Sequence, residues 1–453
     1  MNNRKIKWTG ESPSIMLISL GCDKNLVDSE QMLSLLYEAG CVFTEDPLKA
    51  DVIIVNTCCF IGDAKEESIN AIIEAGKHKE NGSLKGLIVT GCLAERYAKE
   101  IKKELPEADA VIGTTGFDGI ADAVFNVLNG KKVINTGDIN RNSYVKGHRI
   151  LTGGGYYAYL KIAEGCNKNC TYCIIPKVRG SYRSVPEEDL LEDAKELAKK
   201  GVKELILVAQ ETTLYGTDLY GKKTLPRLLR KLCKIEGIEW IRLLYAYPEE
   251  IDDELIDTVA SEEKICNYFD LPVQHCSDRI LKAMGRRTDL KSLKEIILKI
   301  RNKIPDAALR TTLISGFPGE TEEDHEMLKD FIKEIRFDRL GDFEYSKEEG
   351  TAAAKMKGQI RKADKKRRRD EIMSLQQKIA FENESRMKGR TLKVMIEGYL
   401  PEDGVYVARS YRDAPDVDGM IFVSGAENRF MSGDFADVKI TDSHEYDLTG
   451  EVI

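Results

Sequence analysis

No apolar run in this sequence of 453 residues approaches the roughly 18 residues that cross a membrane as a helix. The opening segment, MNNRKIKWTGESPS, holds no apolar core of the kind a secretory signal carries. There is no phosphate-loop lysine motif, no internal repeat and no low-complexity tract. The one match to G-x-G-x-x-A, at Gly153, Gly155 and Ala158, precedes an expected strand instead of following one, so it fails the context of a dinucleotide loop. Excess positive charge is missing too, since a net charge of −8 excludes a generally basic nucleic-acid coat. With 42% hydrophobic and 32% charged residues the chain reads as globular, not disordered. Without an export signal or a membrane span, the expected location is cytoplasmic. Thiols stay reduced there, and 11 cysteines are more often metal ligands than disulfide partners.

The negative charge is concentrated. Residues 390–453 carry 6 basic and 13 acidic side chains, whereas the rest of the chain is close to neutral. Just before them stands the basic stretch KMKGQIRKADKKRRRD, from Lys355 to Asp370. Such a shift marks a boundary. The expected division is an N-terminal domain over 1–140, a glycine-bearing linker over 141–155, a second domain over 156–360, a helical linker over 361–389 and an acidic module over 390–453. The basic stretch reads first as a solvated helix face and, less favoured, as an RNA contact.

The first domain alternates apolar strands at Ile15–Leu20, Val52–Asn56, Gly86–Thr90 and Ala110–Ile112 with helical patterns at Asn25–Ala39, Lys65–Lys79 and Leu93–Glu104. That alternation predicts an α/β layer on a parallel sheet. Six further strand–helix units begin near Tyr156, with strands expected near Ala158–Ala163, Leu205–Ala209, Ile241–Tyr245, Tyr268–Val273, Leu309–Ile314 and Arg339–Tyr345. Six units suit an open (β/α)6 partial barrel, not a closed barrel of eight. Short alternating strands in the last module, Leu392–Ile396, Val405–Ala408, Met420–Val423 and Phe435–Ile440, suit a small antiparallel barrel.

Seven cysteines follow this plan. Cys166, Cys170 and Cys173 fall in GCNKNCTYC, a C-x3-C-x2-C loop just after the first strand of the second run. Thiolate-only ligation favours an iron–sulfur cluster or zinc. A structural zinc needs a fourth ligand, and no fourth cysteine or histidine lies nearby in the sequence. Three ligands on a four-iron cluster leave one iron open to a substrate or cofactor. In the first domain Cys22 follows the first strand, Cys58 and Cys59 the second, and Cys92 the third. Parallel strands place those ends on one edge, so three distant cysteines converge on a second site, and geometry does not choose between Cys58 and Cys59. Cys41, Cys233, Cys266 and Cys276 show no pattern and read as structural, as does His275 beside Cys276. Gln210 and Glu211, in VAQETT at a strand end, either pair with a ligand's amino group or cap the next segment. GFPGET, from Gly316 to Thr321, is either an ordinary turn or a contact for an anionic group.

The loop GCNKNCTYCIIPKVRG resembles the cluster loop of the radical S-adenosylmethionine (SAM) enzymes. Together with the upstream three-cysteine domain and the terminal β module, which is similar to a TRAM domain, it resembles the radical SAM methylthiotransferases over essentially the whole chain. LGCDKNLVDSE, NTCCFIGDAKEESI, YLKIAEGCNKNCTYCIIPKVRGSYRS, DLPVQHCSDRIL and ARSYRDAPDVDG match the branch, the RimO type, that modifies an aspartate of the small-subunit ribosomal protein S-twelve. The resemblance implies two 4Fe-4S clusters, one on Cys166, Cys170 and Cys173 and one on Cys22, Cys58 and Cys92, with Cys59 standing where the family has a small residue. It places Tyr172 near the adenine of SAM and Gln210, Glu211 and Gln274 at strand ends that contact SAM. It implies that SAM is used twice, once as the source of a 5′-deoxyadenosyl radical and once as methyl donor to a cluster-held sulfide. No side chain of the chain is then expected to act as a catalytic acid, base or nucleophile, because the cofactors carry that chemistry. The implied partners are protein S-twelve, free or in the small subunit, an electron donor such as flavodoxin or ferredoxin, and a sulfur donor. The acidic module favours a basic protein over RNA. Methylthiolation of transfer RNA is the runner-up reading, and a noncatalytic iron–sulfur carrier is the alternative from another class.

Overall fold

The structure, a computed structural model, describes residues 8, 11–82, 84–147, 149–425 and 429–453. It divides into two compact units. The first holds the chain up to Thr152 together with Ala163–Val185 and Ser346–Thr351, and the second holds Gly153–Ile162, Pro186–Tyr345 and Ala352–Ile453. Among the described residues no helix is long and apolar enough to cross a membrane.

The first unit is built on a six-stranded parallel sheet of β1 (Ser14–Ser19), β2 (Val42–Phe43), β3 (Val52–Thr57), β4 (Gly86–Gly91), β5 (Ala110–Ile112) and β6 (Val133–Asn135), in the order β2-β1-β3-β4-β5-β6. Every residue of β3 and β4 is buried, as the continuous apolar runs VIIVNT and GLIVTG require of strands covered on both faces. Alternate side chains sort to opposite faces. Ile53, Val55, Leu87 and Val89 pack with Ile72, Ala75, Leu93 and Ile101 of α2 (Gly62–Asn81) and α3 (Cys92–Glu104). Val52, Ile54 and Ile88 pack with Met32, Leu36, Ile120 and Val124 of α1 (Asp23–Glu38) and α4 (Ile120–Leu128). The order reverses direction between β1 and β3, and the carboxyl ends at such a reversal form a crevice where ligands bind in sheets of this kind. The edge strands β2 and β6 were not expected, because two or three residues are too few to show a period.

The second unit carries six parallel strands in chain order. Tyr157–Lys161, Glu204–Val208 and Trp240–Leu243 form one three-stranded sheet, and Tyr268–Gln274, Ala308–Ser315 and Arg339–Glu344 form another. A single parallel bridge, Ile241 to Ile265, lies between them. This is the open partial barrel expected from six strand–helix units.

The basic stretch leads into a helix, Lys362–Ser385, but the helix is not a solvated rod. Ile372, Gln376, Ile379, Ala380 and Asn383 are buried along one face at helical spacing. The arginines of the stretch are paired within the unit: Arg367 with Glu322 at 2.8 Å and Glu371 at 2.7 Å, Arg368 with Glu320 at 3.0 Å, and Arg361 with Asp364 at 2.8 Å.

The terminal module is a closed five-stranded barrel of Thr391–Leu400, Val405–Ser410, Ile421–Ser424, Phe435–His444 and Asp447–Val452. Its pairings are antiparallel except for Ile421–Ser424 with Asp447–Val452, which runs parallel. The module docks on the N-terminal ends of the six strands. Tyr157 donates its hydroxyl to Asp416 at 2.9 Å, and Tyr268 donates to Asp418 at 2.7 Å. Arg339 pairs with Asp413 at 2.6 Å, and Trp240 meets Phe435 edge-on at 4.9 Å. Glu204, wholly buried, is shared by Arg242 at 2.8 Å and Arg409, and Arg242 also donates to the Tyr411 carbonyl at 2.6 Å. Asp413 and Asp418, part of the acidity expected to face a partner, are therefore spent inside the protein, while Asp416 stays exposed and holds Tyr157.

Removing Glu204 would leave two buried guanidinium groups facing each other. Glu204→Ala is expected to cost about 3–5 kcal/mol in urea unfolding. Glu402→Ala, on an exposed turn of the module, should stay within about 0.5 kcal/mol of the parent.

Candidate functional site

Three cysteines stand where β1, β3 and β4 end. Cys22 caps α1, Cys58 follows β3, and Cys92 opens α3. The turns that carry them are tight. Gly21 has φ +90°, and a Cβ there would lie 2.7 Å from Cys58 Cβ and 3.0 Å from its Sγ. Gly91 also has φ +90°, with the Thr57 carbonyl 2.5 Å from where its Cβ would stand. Only glycine tolerates both the angle and the approach. Asn25, fully buried, ties two of these ends together by donating to the carbonyls of Leu20 at 2.9 Å and Thr57 at 3.0 Å. Cys58 is pinned to α2 through Ser68, which accepts from the Cys58 amide and donates to its carbonyl, each at 3.0 Å.

The neighbouring thiols differ. Cys58 lies against Gly21, and the nearby Cys22 adds to the burial that raises its pKa. Cys59 is wholly enclosed in the cluster of Ile72, Ala75 and Ala94 and donates its S–H to the Cys92 carbonyl at 3.2 Å. Burial pushes its thiol up to about 11. Burial raises Cys92 much further, against the opposing pull of the Arg179 guanidinium. Cys41, raised to about 11, and Cys233, Cys266 and Cys276, each raised to about 12, are pushed up first by burial and behave as core residues.

The second set of cysteines belongs to the same compact unit. The segment Ala163–Val185 closes on itself through a ribbon of Ala163–Glu164 with Arg183–Ser184 and through the Cys166 amide, which donates to the Gly180 carbonyl at 3.1 Å. Gly165 has φ +78°, and a Cβ there would stand 2.2 Å from the Ser181 carbonyl. Cys173 bonds back to the Cys170 carbonyl at 3.0 Å, and the Lys168 amide points at the Cys166 sulfur at 3.5 Å. Burial, with Cys170 and Cys166 close by, drives the Cys173 thiol well up. Tyr172 is half-buried between them in sequence. Ile174 and Val178 insert into the core under β3 and β4 and so seat the loop on the sheet. Arg179 completes the attachment. It pairs with Asp28 at 2.7 Å and Glu164 at 3.0 Å, donates to the Asn25 side-chain oxygen, and directs Nε at Cys92 Sγ at 3.3 Å.

Among the described residues no three His, Cys, Asp or Glu side chains are gathered to hold a metal ion. A four-iron cube asks something different, since each thiolate binds its own iron. Two sets of three thiols, buried except for the half-buried Cys22 and Cys173 and with no histidine among them, match that donor chemistry.

In the second unit Gln210 and Glu211 follow the strand Glu204–Val208. Glu211 is fully buried, and its Oε1 accepts from the Thr213 amide at 3.0 Å and from its hydroxyl. Gln274 ends its own strand at φ +69°, a left-handed conformation that a side chain rarely adopts and that concentrates at functional positions. The GFPGET turn does not present free amides to an anion. Glu320 accepts from Gly316 at 2.6 Å and Phe317 at 3.0 Å. His275 Nδ1 accepts from the amides of Cys276 at 2.9 Å and Ser277 at 3.0 Å, a local structural role.

Three residues were not singled out from sequence: Asn25, Arg179 and Asp342. Arg179 had a weak signal, a second cation after Lys177 closing the run that follows the last cysteine. Asp342 had none. It is buried, accepts the Ser315 hydroxyl at 2.6 Å, and burial raises its carboxyl to about 7.

Residues 14–113 match an uncharacterized protein family, UPF0004, residues 160–332 match the radical SAM superfamily, and residues 389–453 match the TRAM domain. A protein of Lachnoclostridium phytofermentans described as ribosomal protein uS12 methylthiotransferase RimO is 61% identical, over 96% of this chain and 99% of its own. Proteins of the same description from Thermoanaerobacter sp. and Clostridioides difficile are 51% and 48% identical, each over 97% of this chain and over 99% and 98% of their own. A solved radical SAM methyltransferase, TsrM from Kitasatospora setae, is similar in fold with a TM-score of 0.54 at 12% identity, over 73% of each chain.

Two expectations follow from this geometry. Gly21→Ala should lower stability by about 1–3 kcal/mol in thermal or urea unfolding, because the added carbon meets both strain and Cys58. Asp342 keeps its proton in the folded chain to about pH 7, whereas the unfolded chain releases it near pH 4. Its contribution is therefore fully present below pH 4 and is lost as pH rises to 7, at ~1.4 kcal/mol per unit of displacement. Asp342→Asn should gain stability on the parent between pH 4 and 7 and hold a constant offset outside that window, as read by thermal unfolding across pH.

Proposed function

The chain belongs to the RimO family of ribosomal protein uS12 methylthiotransferases, and from that membership we propose that it transfers a methylthio group to the β-carbon of an aspartate in uS12. What carries the reading is the gathering of two three-cysteine sets in one compact unit, in a chain alike to those relatives almost from end to end.

Cys166, Cys170 and Cys173 would hold one 4Fe-4S cluster, and Cys22, Cys58 and Cys92 the other. With SAM, such a cluster supplies one-electron chemistry able to break an unactivated C–H bond, which no side-chain base could do at an aspartate β-carbon. The chain's own residues bind, space and shield. Gly21, Gly91 and Asn25 hold the strand ends at close approach, and Ile174 and Val178 anchor the loop. Cys58 supplies the thiolate, since Cys59 is committed to the core and to the Cys92 carbonyl. Tyr172, Gln210, Glu211 and Gln274 are proposed as SAM contacts, with the left-handed backbone at Gln274 as the supporting observation in the second unit. An external electron donor of the flavodoxin or ferredoxin class and a sulfur donor complete the requirements.

The arginines of the basic stretch are paired within their own unit, which weakens the transfer-RNA reading. Glu402, Asp403, Asp437, Asp442, Glu445 and Glu451 remain exposed on the β module, a surface suited to a basic ribosomal protein.

The decisive experiment is an anaerobic competition with reconstituted protein, SAM and reductant. It offers a peptide from the uS12 loop alongside a transfer-RNA hairpin bearing a prenylated adenosine. Mass spectrometry is expected to find the methylthio adduct on the peptide aspartate alone, and an adduct on the RNA alone would reverse the assignment. In the same assay Cys58→Ala should abolish transfer, while Cys59→Ala should retain most of it.

A further inference from the structure

Arg179 is 2% exposed and lies six residues beyond Cys173. Two carboxylates, Asp28 and Glu164, already neutralise it through Nη1. A clamp between loop and sheet would need nothing more. Yet the guanidinium spends its other edges elsewhere, Nη2 on the Asn25 side-chain oxygen and Nε on the sulfur of Cys92, 3.3 Å away. A neutral thiol is a weak acceptor, and burial of a fork donor against one gains little. A thiolate bound to iron is a strong acceptor, and hydrogen bonds to cluster sulfurs are among the factors that set cluster potential. Asn25 is the residue that also joins the ends of β1 and β3, so one guanidinium is coupled to the turns carrying Cys22, Cys58 and Cys92.

We propose that Arg179 is a positioning residue whose Nε–H bonds the Cys92 thiolate and holds the cluster on Cys22, Cys58 and Cys92 at a more positive reduction potential than the bare cysteine set would give. The inference rests on the assignment of that cluster made above. A cation and an N–H donor both favour the reduced, more negative state, which fixes the sign. Because Arg179 lies on the loop of Cys166, Cys170 and Cys173, the residue that seats one cluster loop also tunes the other cluster.

The test uses the full chain with Cys166, Cys170 and Cys173 all changed to alanine, so that one cluster remains. Iron analysis comes first, and a chain that binds no iron would overturn the cluster assignment and this inference with it. With the cluster present, arginine labelled with the heavy nitrogen isotope should give a resolved nitrogen coupling in pulsed electron paramagnetic resonance of the dithionite-reduced protein. Absence of that coupling overturns the inference while leaving the cluster assignment intact, and this arm needs no change at Arg179. Redox titration then compares variants. Arg179→Gln should shift the midpoint to more negative potential and Arg179→Lys should shift it less. Asp28→Asn breaks the same ion pair but removes a negative charge, and should shift it the other way. Equal shifts of one sign in Arg179→Gln and Asp28→Asn would mark a purely structural clamp and overturn the proposal.

Discussion

The guanidinium of Arg179, buried between Asp28 and Glu164 and in contact with Asn25 and Cys92, is the interaction on which the first unit depends. A buried cation is costly unless paired, and paired this fully it joins what it touches. It spans three strand ends and a loop that lies more than sixty residues further along the chain. Without it the apolar contacts of Ile174 and Val178 would still seat the loop, and its polar attachment would fall to the Thr114 hydroxyl, which donates to the Val178 carbonyl at 2.8 Å, and to Asn140, which accepts from the Ser181 amide at 2.8 Å. Glycines at φ +90° complete the arrangement by letting the strand ends come close enough for Arg179 to meet one directly and the other two through Asn25.

Much of this was legible in the sequence because it follows from periodicity. The runs VIIVNT and GLIVTG had to be covered strands, and parallel strands had to leave Cys22, Cys58 and Cys92 on one edge. The six-unit count of the partial barrel followed in the same way. Features that depend on partners distant in sequence were not legible. Asp342 is an acid in a strand like any other until Ser315 and burial surround it. The choice between Cys58 and Cys59 was open because adjacent residues in an irregular turn share no period. In space the two part, one thiol facing Gly21 and the other filling the core, which is what supports Cys58 in the proposed set.

Charge was the least reliable guide. A count of acids and bases says how many there are, not how many are free. ARSYRDAPDVDG contributed to an apparently outward-facing acidity, yet Asp413 and Asp418 pair with Arg339 and Tyr268 at the strand starts. The cations near Arg367 and Arg368 are likewise answered by Glu320, Glu322 and Glu371. In both segments, charge that looks like a recognition surface in one dimension is internal mortar in three.

The docking of the β module on the barrel has a consequence for how such proteins can diverge. Since Tyr157, Glu204, Arg242, Tyr268 and Arg339 each hold a partner in the module or in the helix before it, the module is the floor of the barrel and not an appendage. A lineage could not acquire a new substrate by exchanging this domain whole. The graft would arrive with the wrong counter-charges and leave arginines and a glutamate unpaired in the interior. Change would instead have to proceed at the far side of the module, on the turns around Glu402 and Glu445, while the docking face stays as it is. The same five strand starts should therefore predict which relatives' modules are interchangeable with this one, independently of overall identity.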